Sequence, residues 1–376
     1  MVDGVSFLAE ALDLGIGLFC GVPDSLLREF VACVDDLEDR AINVVVANEG
    51  AGVALAAGHH LATGGLGLVY MQNSGLGNAV NPLLSLTSRD VYSIPLLLLI
   101  GWRGEPGTVD EPQHLLQGRV TVPLLNDLEI PYRVLPSDTA GAIGCLRESV
   151  KTATAGSRPE AIIVRRDTFE TIPQVAMPSN PYVLTREGAI ALIVDQMDVT
   201  DVVVASTGKI SRELYEYRKT GGVRTSVQDF LSVGSMGHAS QIALGIALGQ
   251  PDRRVYCLDG DGALIMHMGA LAILGLVGSR NFTHIVLNNG CHESVGGQPT
   301  AGFDIDIPLI AKACGFHVST SVSTERDLRS ALANLSGVDG PHMLEVRIAR
   351  GSREDLGRPQ IQPSENKYDF MRFMKP

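Results

Sequence analysis

The stretch 255-VYCLDGDG-262 opens on an apolar run and ends in two aspartates set among glycines. The apolar part is typical of a strand that is buried in a sheet. A segment without formal charge, 264-LIMHMGALAIL-274, follows and predicts a helix packed behind the turn. Asp259 is predicted to end the strand and shape the turn, whereas Asp261 raises the question of a bound ligand.

A second polar pair, Asn288 and Asn289, closes the next apolar run, 283-THIVLNN-289. In a βαβ unit the two strands are parallel and their C-terminal ends meet at one edge, where open α/β sheets bind ligands. The two motifs are separated by 25 residues, from 263 to 287. We therefore expect Asp261 and Asn289 to face one point.

Oxygen ligands at such a point suit a hard cation. Asp261 and Asn289 both offer the oxygen that Mg²⁺ or Ca²⁺ prefers, and a backbone carbonyl just past Asn289 can add a third. The N–H groups of Gly262 and Ala263 suit an anion at the helix start. Gly260 belongs to the same turn and is a further predicted cofactor contact. The pattern predicts Mg²⁺ carrying a diphosphate. GDG alone is more often a plain turn, but its spacing from NN, with a strand before each motif, favours the binding site.

The rest of the chain alternates apolar runs with helical patterns. This predicts an α/β fold of two domains, each a mainly parallel sheet flanked by helices. We expect residues 1–170 to form the first domain, 171–182 a proline-containing linker and 183–376 the second domain, with an irregular tail over 351–370. Strands are predicted at 16–21, 43–48, 67–72, 94–100, 161–166, 201–206, 254–259, 283–289 and 343–349.

Composition and charge exclude several classes of function. The net charge of −12 argues against nucleic acid and anionic membranes as partners. The longest apolar stretch, 94–102, is too short to span a bilayer, and the N-terminus lacks a basic signal region. Six scattered cysteines without a CxxC pair indicate reduced thiols and a cytoplasmic location. Neither a P-loop nor a clean GxGxxG motif is present, so nucleoside triphosphatases and dinucleotide enzymes are disfavoured.

The GDG and NN motifs at this spacing resemble the signature of thiamine-diphosphate-dependent enzymes. The resemblance implies that Asp261, the side chain of Asn289 and the carbonyl of Cys291 bind the metal. It also implies a glutamate after an early strand, and 43-NVVVANEGAGVALAAG-58 supplies Glu49. In the family this acid hydrogen-bonds the aminopyrimidine and promotes removal of the thiazolium proton. The alternative is that Glu49 only begins a helix, where the helix dipole favours an acidic side chain.

Three further segments resemble the cofactor site of the family. In 230-FLSVGSMGHASQIALGIALG-249, the carbonyl of Gly234 matches the acceptor for the aminopyrimidine amino group and Met236 matches the wedge under the bent cofactor. Met236 taken alone is more often core filling. The other two segments are less specific. They predict a second phosphate-binding turn at Thr207, Gly208 and Lys209, and contacts to the thiazolium side from Asn73 and Ser74 in a turn that glycine alone would also explain.

Within this family the chain resembles most closely the decarboxylases of phosphonopyruvate, with those of sulfopyruvate as close relatives. The implied activity converts 3-phosphonopyruvate to phosphonoacetaldehyde and CO₂ through a thiamine diphosphate ylide, in phosphonate biosynthesis. A pyrimidine-binding domain would come first and a diphosphate-binding domain second. Cofactor sites would be shared between subunits of a homodimer or a higher homo-oligomer. The segments that carry this resemblance are 21-GVPDSLL-27, 72-QNSGLGNAVNPL-83, 101-GWRGEPGTVDEPQHLLQG-118, 287-LNNGCHESVGGQPT-300 and, over 357–367, GRPQ and ENK.

A small anionic 2-oxoacid needs cations or N–H donors. Arg103, Ser25 and Gln113 are the predicted substrate contacts, and Asp24 is predicted to contact substrate or relay protons. His114 and His292 are predicted proton carriers because a histidine pKa lies in the useful range. The alternative for each histidine is a surface or packing role.

Three rival functions stay open at the level of sequence. Sulfopyruvate or another 2-oxoacid could be the substrate, since the anionic groups differ little. The chain could be a non-catalytic subunit of this fold, although Glu49, Asp261 and Asn289 together argue against that. A nucleotide-binding dehydrogenase would bind NAD(H) and be indifferent to thiamine diphosphate.

Overall fold

Both halves of the chain build their fold around a parallel sheet. The computed structural model describes residues 1–37, 40–172, 179–220 and 226–375. The chain divides into two units, the first spanning Met1–Ala176 with Val295–Gln298 and the second Met177–Ser294 with Pro299–Pro376. Half of the predicted linker at 171–182, residues 173–178, lies outside the described residues.

In the first unit, strands and helices alternate along the chain, as expected for a parallel sheet. A π-helical turn at Leu83–Thr87 directly follows the fourth helix. The elements are α1 (Gly4–Asp13), β1 (Ile16–Gly21), α2 (Arg28–Asp35), β2 (Ile42–Val45), α3 (Glu49–Thr63), β3 (Leu66–Gln72), α4 (Leu76–Pro82), β4 (Leu97–Gly101), α5 (Pro112–Asp127), β5 (Tyr132–Val134), α6 (Thr139–Gly156) and β6 (Glu160–Val164).

The second unit repeats this alternation and ends in a helix. Its elements are α7 (Arg186–Asp195), β7 (Val202–Ala205), α8 (Lys209–Thr220), β8 (Asp229–Leu231), α9 (Ala239–Gly249), β9 (Val255–Gly260), α10 (Asp261–Met266), α11 (Ala270–Val277), β10 (Phe282–Asn288), α12 (Ile307–Ala313), β11 (Val318–Val322), α13 (Glu325–Leu335), β12 (His342–Arg347) and α14 (Pro363–Met374).

The two sheets have the same strand order. Six described strands of the first unit run β2-β1-β3-β4-β6-β5, and those of the second run β8-β7-β9-β10-β12-β11. All the strand pairs are parallel. In each sheet the order reverses after the first strand, so a topological switch point lies between β1 and β3 and another between β7 and β9. Open parallel sheets bind ligands in the crevice at such points.

Burial of the central strands explains their composition. Every residue of β4, β6 and β10 is buried, because helices cover both faces of a parallel sheet. Side chains just before two of the helices supply N-caps. Asn48 accepts from the N–H of Ala51 at α3, and Thr185 accepts from the N–H of Gly188 at α7. The predicted α/β fold is confirmed.

Two predicted elements were wrong in extent. The helix expected over 264–274 is two helices, because α10 ends where His267 leaves helical dihedrals and α11 starts after Gly269. The tail expected to be irregular over 351–370 contains most of α14. That helix begins with a capping box between Gln362 and Glu365, a signal present in the sequence.

The C-terminal helix is fixed to the second sheet by one polar side chain and one ring. Asn366 accepts a hydrogen bond from the N–H of Leu231 and donates one to the carbonyl of Asp229, so it continues the edge of β8. Phe370 is buried and its ring lies 5.9 Å from that of Phe230. No helix in the part of the chain that the structure describes is both long and apolar enough to cross a bilayer.

Gly118→Ala tests how tightly α5 packs on the loop after β4. A Cβ at Gly118 would overlap the carbonyl of Gly104, and Gly104 cannot easily move because its φ is +68°. We expect the free energy of unfolding to fall by about 1–3 kcal/mol, measured by urea denaturation. Gly144→Ala in α6 is the matched control, since a Cβ there meets nothing within 4 Å. We expect the control to be neutral or to stabilise by up to about 1 kcal/mol, and equal losses in both variants would contradict the packing argument.

Candidate functional site

The end of β9 and the start of α10 hold a buried carboxylate. Asp261 accepts hydrogen bonds from the N–H groups of Asn289 and Gly262 and from the hydroxyl of Thr300. Burial raises the pKa of Asp261 to about 6, although these hydrogen bonds favour the ionised form. The structure thus brings Asp261 and Asn289 together at the sheet edge. Within the described part of the chain, the partners of Asp261 are N–H and O–H donors rather than cations, so a divalent cation fits this donor set.

The two neighbouring asparagines have different partners. Asn288 donates to the carbonyl of Gly302 and to Oε1 of Glu345, both at 2.7 Å, and its own Oδ1 accepts from the N–H of Gly290 at 3.0 Å. These bonds shape the turn. Asn289 donates through Nδ2 to Glu293 at 2.7 Å, which orients its amide and leaves Oδ1 with one protein donor, the N–H of Cys291 at 3.2 Å. Oδ1 therefore keeps capacity for a further partner.

Cys291 can offer its carbonyl but not its thiolate. Burial raises the pKa of the Cys291 thiol to about 12, so the sulfur stays protonated near neutral pH. The predicted use of the Cys291 backbone alone agrees with this chemistry. Whether Asp261, Asn289 and Cys291 bind a metal stays a prediction.

Glu293 is a site residue that the sequence analysis missed. Its carboxylate accepts from Arg186 at 3.0 Å, from Lys209 at 2.7 Å and from Asn289. Burial raises the pKa of Glu293, but the two cations outweigh it and bring the value to about 2. Glu293 is therefore a fixed anion that holds the amide of Asn289. Its position four residues after Asn289 was the only available signal.

The turn after β7 lies beside the turn after β8. The N–H of Gly234 donates to the hydroxyl of Thr207 at 3.0 Å, which joins two predicted cofactor segments. Gly208 and Gly234 have φ of +98° and +69°, a region that favours glycine. Lys209, predicted for phosphate, donates instead to Glu293 and to Ser352. Its role at a phosphate stays a prediction, and its charge is already compensated.

Met236 and Ala263, the remaining predicted cofactor contacts of this unit, lie at different depths. Met236 is half-buried and its carbonyl accepts from Nδ1 of His238, whereas Ala263 is buried in α10.

The ring of His292 packs on the backbone of Gly262, where an added Cβ would lie 2.8 Å from the ring. Burial lowers the pKa of His292 to about 4, so this imidazole is neutral near pH 7.

Asp259 does more than shape the turn, which corrects the sequence interpretation. One carboxylate oxygen accepts from the N–H of Gly260 at 3.0 Å, and the other lies 3.2 Å from Nε2 of the buried His284. Asp259 therefore ties β9 to β10 just below the point where Asp261 and Asn289 leave the two strands.

In the first unit, Glu49 begins α3 and is 5% exposed. Its Oε2 accepts from Nδ2 of Asn78 at 2.8 Å, and a Cβ at Gly75 would overlap the carboxylate. The segment 72-QNSGLGN-78 therefore contributes through Gly75 and Asn78, neither of which was singled out from the sequence. Both residues hold the acid in one place.

Asp24, three residues after the end of β1, is completely buried. It accepts from Nε2 of Gln72 at 2.6 Å and from the N–H of Leu26 at 2.9 Å. Burial raises the pKa of Asp24, while the hydrogen bond from Gln72 opposes the shift. Ser74 donates to the other end of the same Gln72 amide. A buried acid with a raised pKa suits the predicted proton relay.

Asn73 has an internal role that the sequence analysis did not predict. Its amide donates to the carbonyl of Arg103 and to the hydroxyl of Thr121, and its oxygen accepts from the N–H of Arg103. These contacts clamp the loop after β4. The predicted contact between Asn73 and the cofactor stays a prediction.

Arg103 is held by Asp110, which the sequence analysis also missed. The guanidinium donates twice to Asp110, at 2.9 and 2.5 Å, and once to the hydroxyl of Ser25 at 3.0 Å. Nδ1 of His114 lies 3.0 Å from the same carboxylate.

The amide oxygen of Gln113 is buried without a hydrogen-bond partner in the described part of the chain. A ligand with a donor would satisfy it.

Comparison with known proteins agrees with this geometry. The N-terminal binding domain of thiamine pyrophosphate enzymes matches residues 2–123, and the C-terminal binding domain matches residues 206–346. Two phosphonopyruvate decarboxylases are similar over nearly the whole chain. That of Streptomyces viridochromogenes is 35% identical over 398 residues, covering 100% of this chain and 95% of that protein. That of Streptomyces hygroscopicus is 36% identical over 391 residues, covering 99% and 94%.

A sulfopyruvate decarboxylase is a more distant relative. That of Methanosarcina acetivorans is 27% identical over 374 residues, covering 93% of this chain and 92% of that protein. The resemblance predicted from the GDG and NN motifs is confirmed. The chain belongs to the family of thiamine-diphosphate-dependent decarboxylases.

Proposed function

We infer that this chain decarboxylates 3-phosphonopyruvate to phosphonoacetaldehyde and CO₂, with thiamine diphosphate and Mg²⁺ as cofactors, as a step in the biosynthesis of phosphonates. The observation that carries the inference is the buried carboxylate of Asp261 beside Asn289, in a chain 35–36% identical to two phosphonopyruvate decarboxylases along its length. Sulfopyruvate is not favoured as the substrate, since a sulfopyruvate decarboxylase that is similar along 93% of this chain is only 27% identical.

The diphosphate and its metal would be held at the edge of the second sheet. Asp261, Oδ1 of Asn289 and the carbonyl of Cys291 would bind Mg²⁺, which accepts such hard oxygen ligands. Backbone N–H groups at Gly262 and Ala263 and the turn at Thr207 and Gly208 would contact phosphate oxygens. Glu293 keeps the Asn289 amide turned so that its oxygen is available.

The acid Glu49 would act on the pyrimidine ring. Its carboxylate is buried and fixed by Asn78, so it is held away from bulk water. Hydrogen bonds of this carboxylate are stronger in such a site than in water. When bound, thiamine diphosphate supplies a carbon nucleophile and takes up the electron pair left when CO₂ departs. Asp24 and His114 would move the proton that completes the aldehyde.

We also propose that the chain works as a homodimer or a higher homo-oligomer in the cytoplasm. Large apolar side chains are exposed on helices of both units, at Leu115 and Leu116 in α5 and at Ile273 and Leu276 in α11. Such faces are common at contacts between subunits. The six cysteines are free thiols, which suits a reducing compartment.

An assay with the purified protein tests the proposed reaction. We expect aldehyde formation from phosphonopyruvate, dependent on both thiamine diphosphate and Mg²⁺, with a higher kcat/KM than for sulfopyruvate or pyruvate. Aldehyde release is followed through a coupled dehydrogenase. A preference for sulfopyruvate, or turnover without thiamine diphosphate, would contradict the proposal.

Glu49→Gln should keep cofactor binding and lose most of the turnover. The amide has the same shape but cannot accept the proton, so we expect kcat to fall by about 100-fold or more. Thiamine diphosphate affinity, measured by calorimetry, should change little. Glu148→Gln, at an exposed position of α6, is the control and should retain full activity. Near-normal turnover of Glu49→Gln would overturn the assigned role.

Asp261→Asn should weaken cofactor binding rather than turnover of the loaded enzyme. The amide lacks the negative charge that attracts Mg²⁺. We therefore expect the apparent Kd for thiamine diphosphate to rise by about 10-fold or more at fixed Mg²⁺. The exposed Asp252→Asn of the same unit is the control. Unchanged cofactor affinity in Asp261→Asn would remove Asp261 from the metal site.

A further inference from the structure

Asp110 gathers basic side chains at the edge of the first sheet. Its side chain is 3% exposed and accepts two hydrogen bonds from Arg103, while Nδ1 of His114 lies 3.0 Å away. Nη2 of Arg166 lies 3.5 Å from the same carboxylate. One buried acid therefore holds two guanidinium groups close together.

This cluster keeps a positive charge although the chain carries −12 overall. Burial raises the pKa of Asp110, but hydrogen bonds from Arg103 and His114 outweigh it and hold the pKa well below its usual range. Burial lowers the pKa of His114, and Asp110 only partly opposes that shift, so the imidazole is neutral near pH 7. Two guanidinium groups and one carboxylate leave a net charge of about +1. The nearby Asp24 is the other acid that acts on His114, and burial raises its pKa too.

The two arginines differ in how many donors they keep for a ligand. Arg103 is 14% exposed and already uses three nitrogens on Asp110 and Ser25. Arg166 is 53% exposed, and its contact with Asp110 is longer than a hydrogen bond. Arg166 therefore presents a guanidinium fork to solvent while Asp110 limits where it can lie. Such a fork binds an oxyanion through two parallel hydrogen bonds.

The topology puts both arginines at the ligand-binding edge of the sheet. Arg103 follows β4 and Arg166 follows β6, and these strands are neighbours with the register Gly101 to Val164 at their C-terminal ends. Asp24 and Gln72 leave β1 and β3 at the same edge. A small substrate that reached Asp24 would have its second anionic group within the same row of strand ends.

We propose that Arg166, together with Arg103, forms the subsite for the second anionic group of the substrate and sets the preference for a phosphonate-bearing 2-oxoacid over pyruvate. The inference deepens the proposed function and rests on it. Arg165 offers a matched contrast. Its side chain is equally exposed, at 53%, but it pairs with Glu105 at 2.8 Å instead of Asp110.

Steady-state kinetics on phosphonopyruvate and pyruvate test the subsite with the enzyme loaded with thiamine diphosphate and Mg²⁺. We expect Arg166→Gln to lower kcat/KM for phosphonopyruvate by about 10- to 100-fold, mainly through KM, because a charged hydrogen bond is lost. The constants for pyruvate should stay within about twofold. Arg165→Gln should leave both substrates unaffected. Equal losses on both substrates, or the same loss in Arg165→Gln, would overturn the subsite.

Binding of phosphonoacetate separates this inference from the reaction itself. We expect calorimetry to show that phosphonoacetate binds the loaded wild-type protein and binds Arg166→Gln about 10-fold or more weakly. If the wild type binds it in this way but decarboxylates none of the three oxoacids, the subsite stands and the proposed reaction fails. If phosphonoacetate binds both proteins equally, or neither, the subsite is wrong whatever the activity.

Discussion

The burial of one carboxylate at the end of β9 constrains much of the second unit. Asp261 is 2% exposed, and a charge in that position is costly unless something compensates it. N–H donors from two turns and one hydroxyl compensate it in part. Gly302 must lack a side chain, because a Cβ there would come within 2.8 Å of both Asp261 and Asn288. The turns after β9 and β10 and the segment at 300–302 are thus organised around a single charge.

The first unit also buries carboxylates, but other groups compensate their charge. Three of its acids with little-exposed side chains, Glu49, Asp24 and Asp110, are each matched to a side-chain donor from another segment: Asn78, Gln72 and Arg103 respectively. The two sheets share one strand order. Common topology therefore places polar groups at equivalent edges, while the donors that surround the acids differ between the two units.

Sequence reasoning reached the parts of this site that depend on position along a strand. Asp261, Asn289 and Glu49 each follow an apolar run, so their placement at a sheet edge follows from the rules of parallel sheets. Glu293, Asn78 and Asp110 were missed because their importance depends on which loop folds against which, and loops have no periodic signal. The capping box of α14 was a local signal that the polar, proline-containing sequence of the tail obscured. The break after Met266 depends on dihedrals that a continuous apolar pattern does not encode.

The contact between Gly75 and Glu49 has a consequence for how this protein can lose its function. The smallest possible side chain at position 75 would occupy the space of the carboxylate, so an alanine there displaces the acid without altering it. A homologue could therefore retain every motif residue and still hold the acid in a different place because of one methyl group. Surveys of such chains for active members should inspect the glycine two residues after the Asn73 position as carefully as the acid itself.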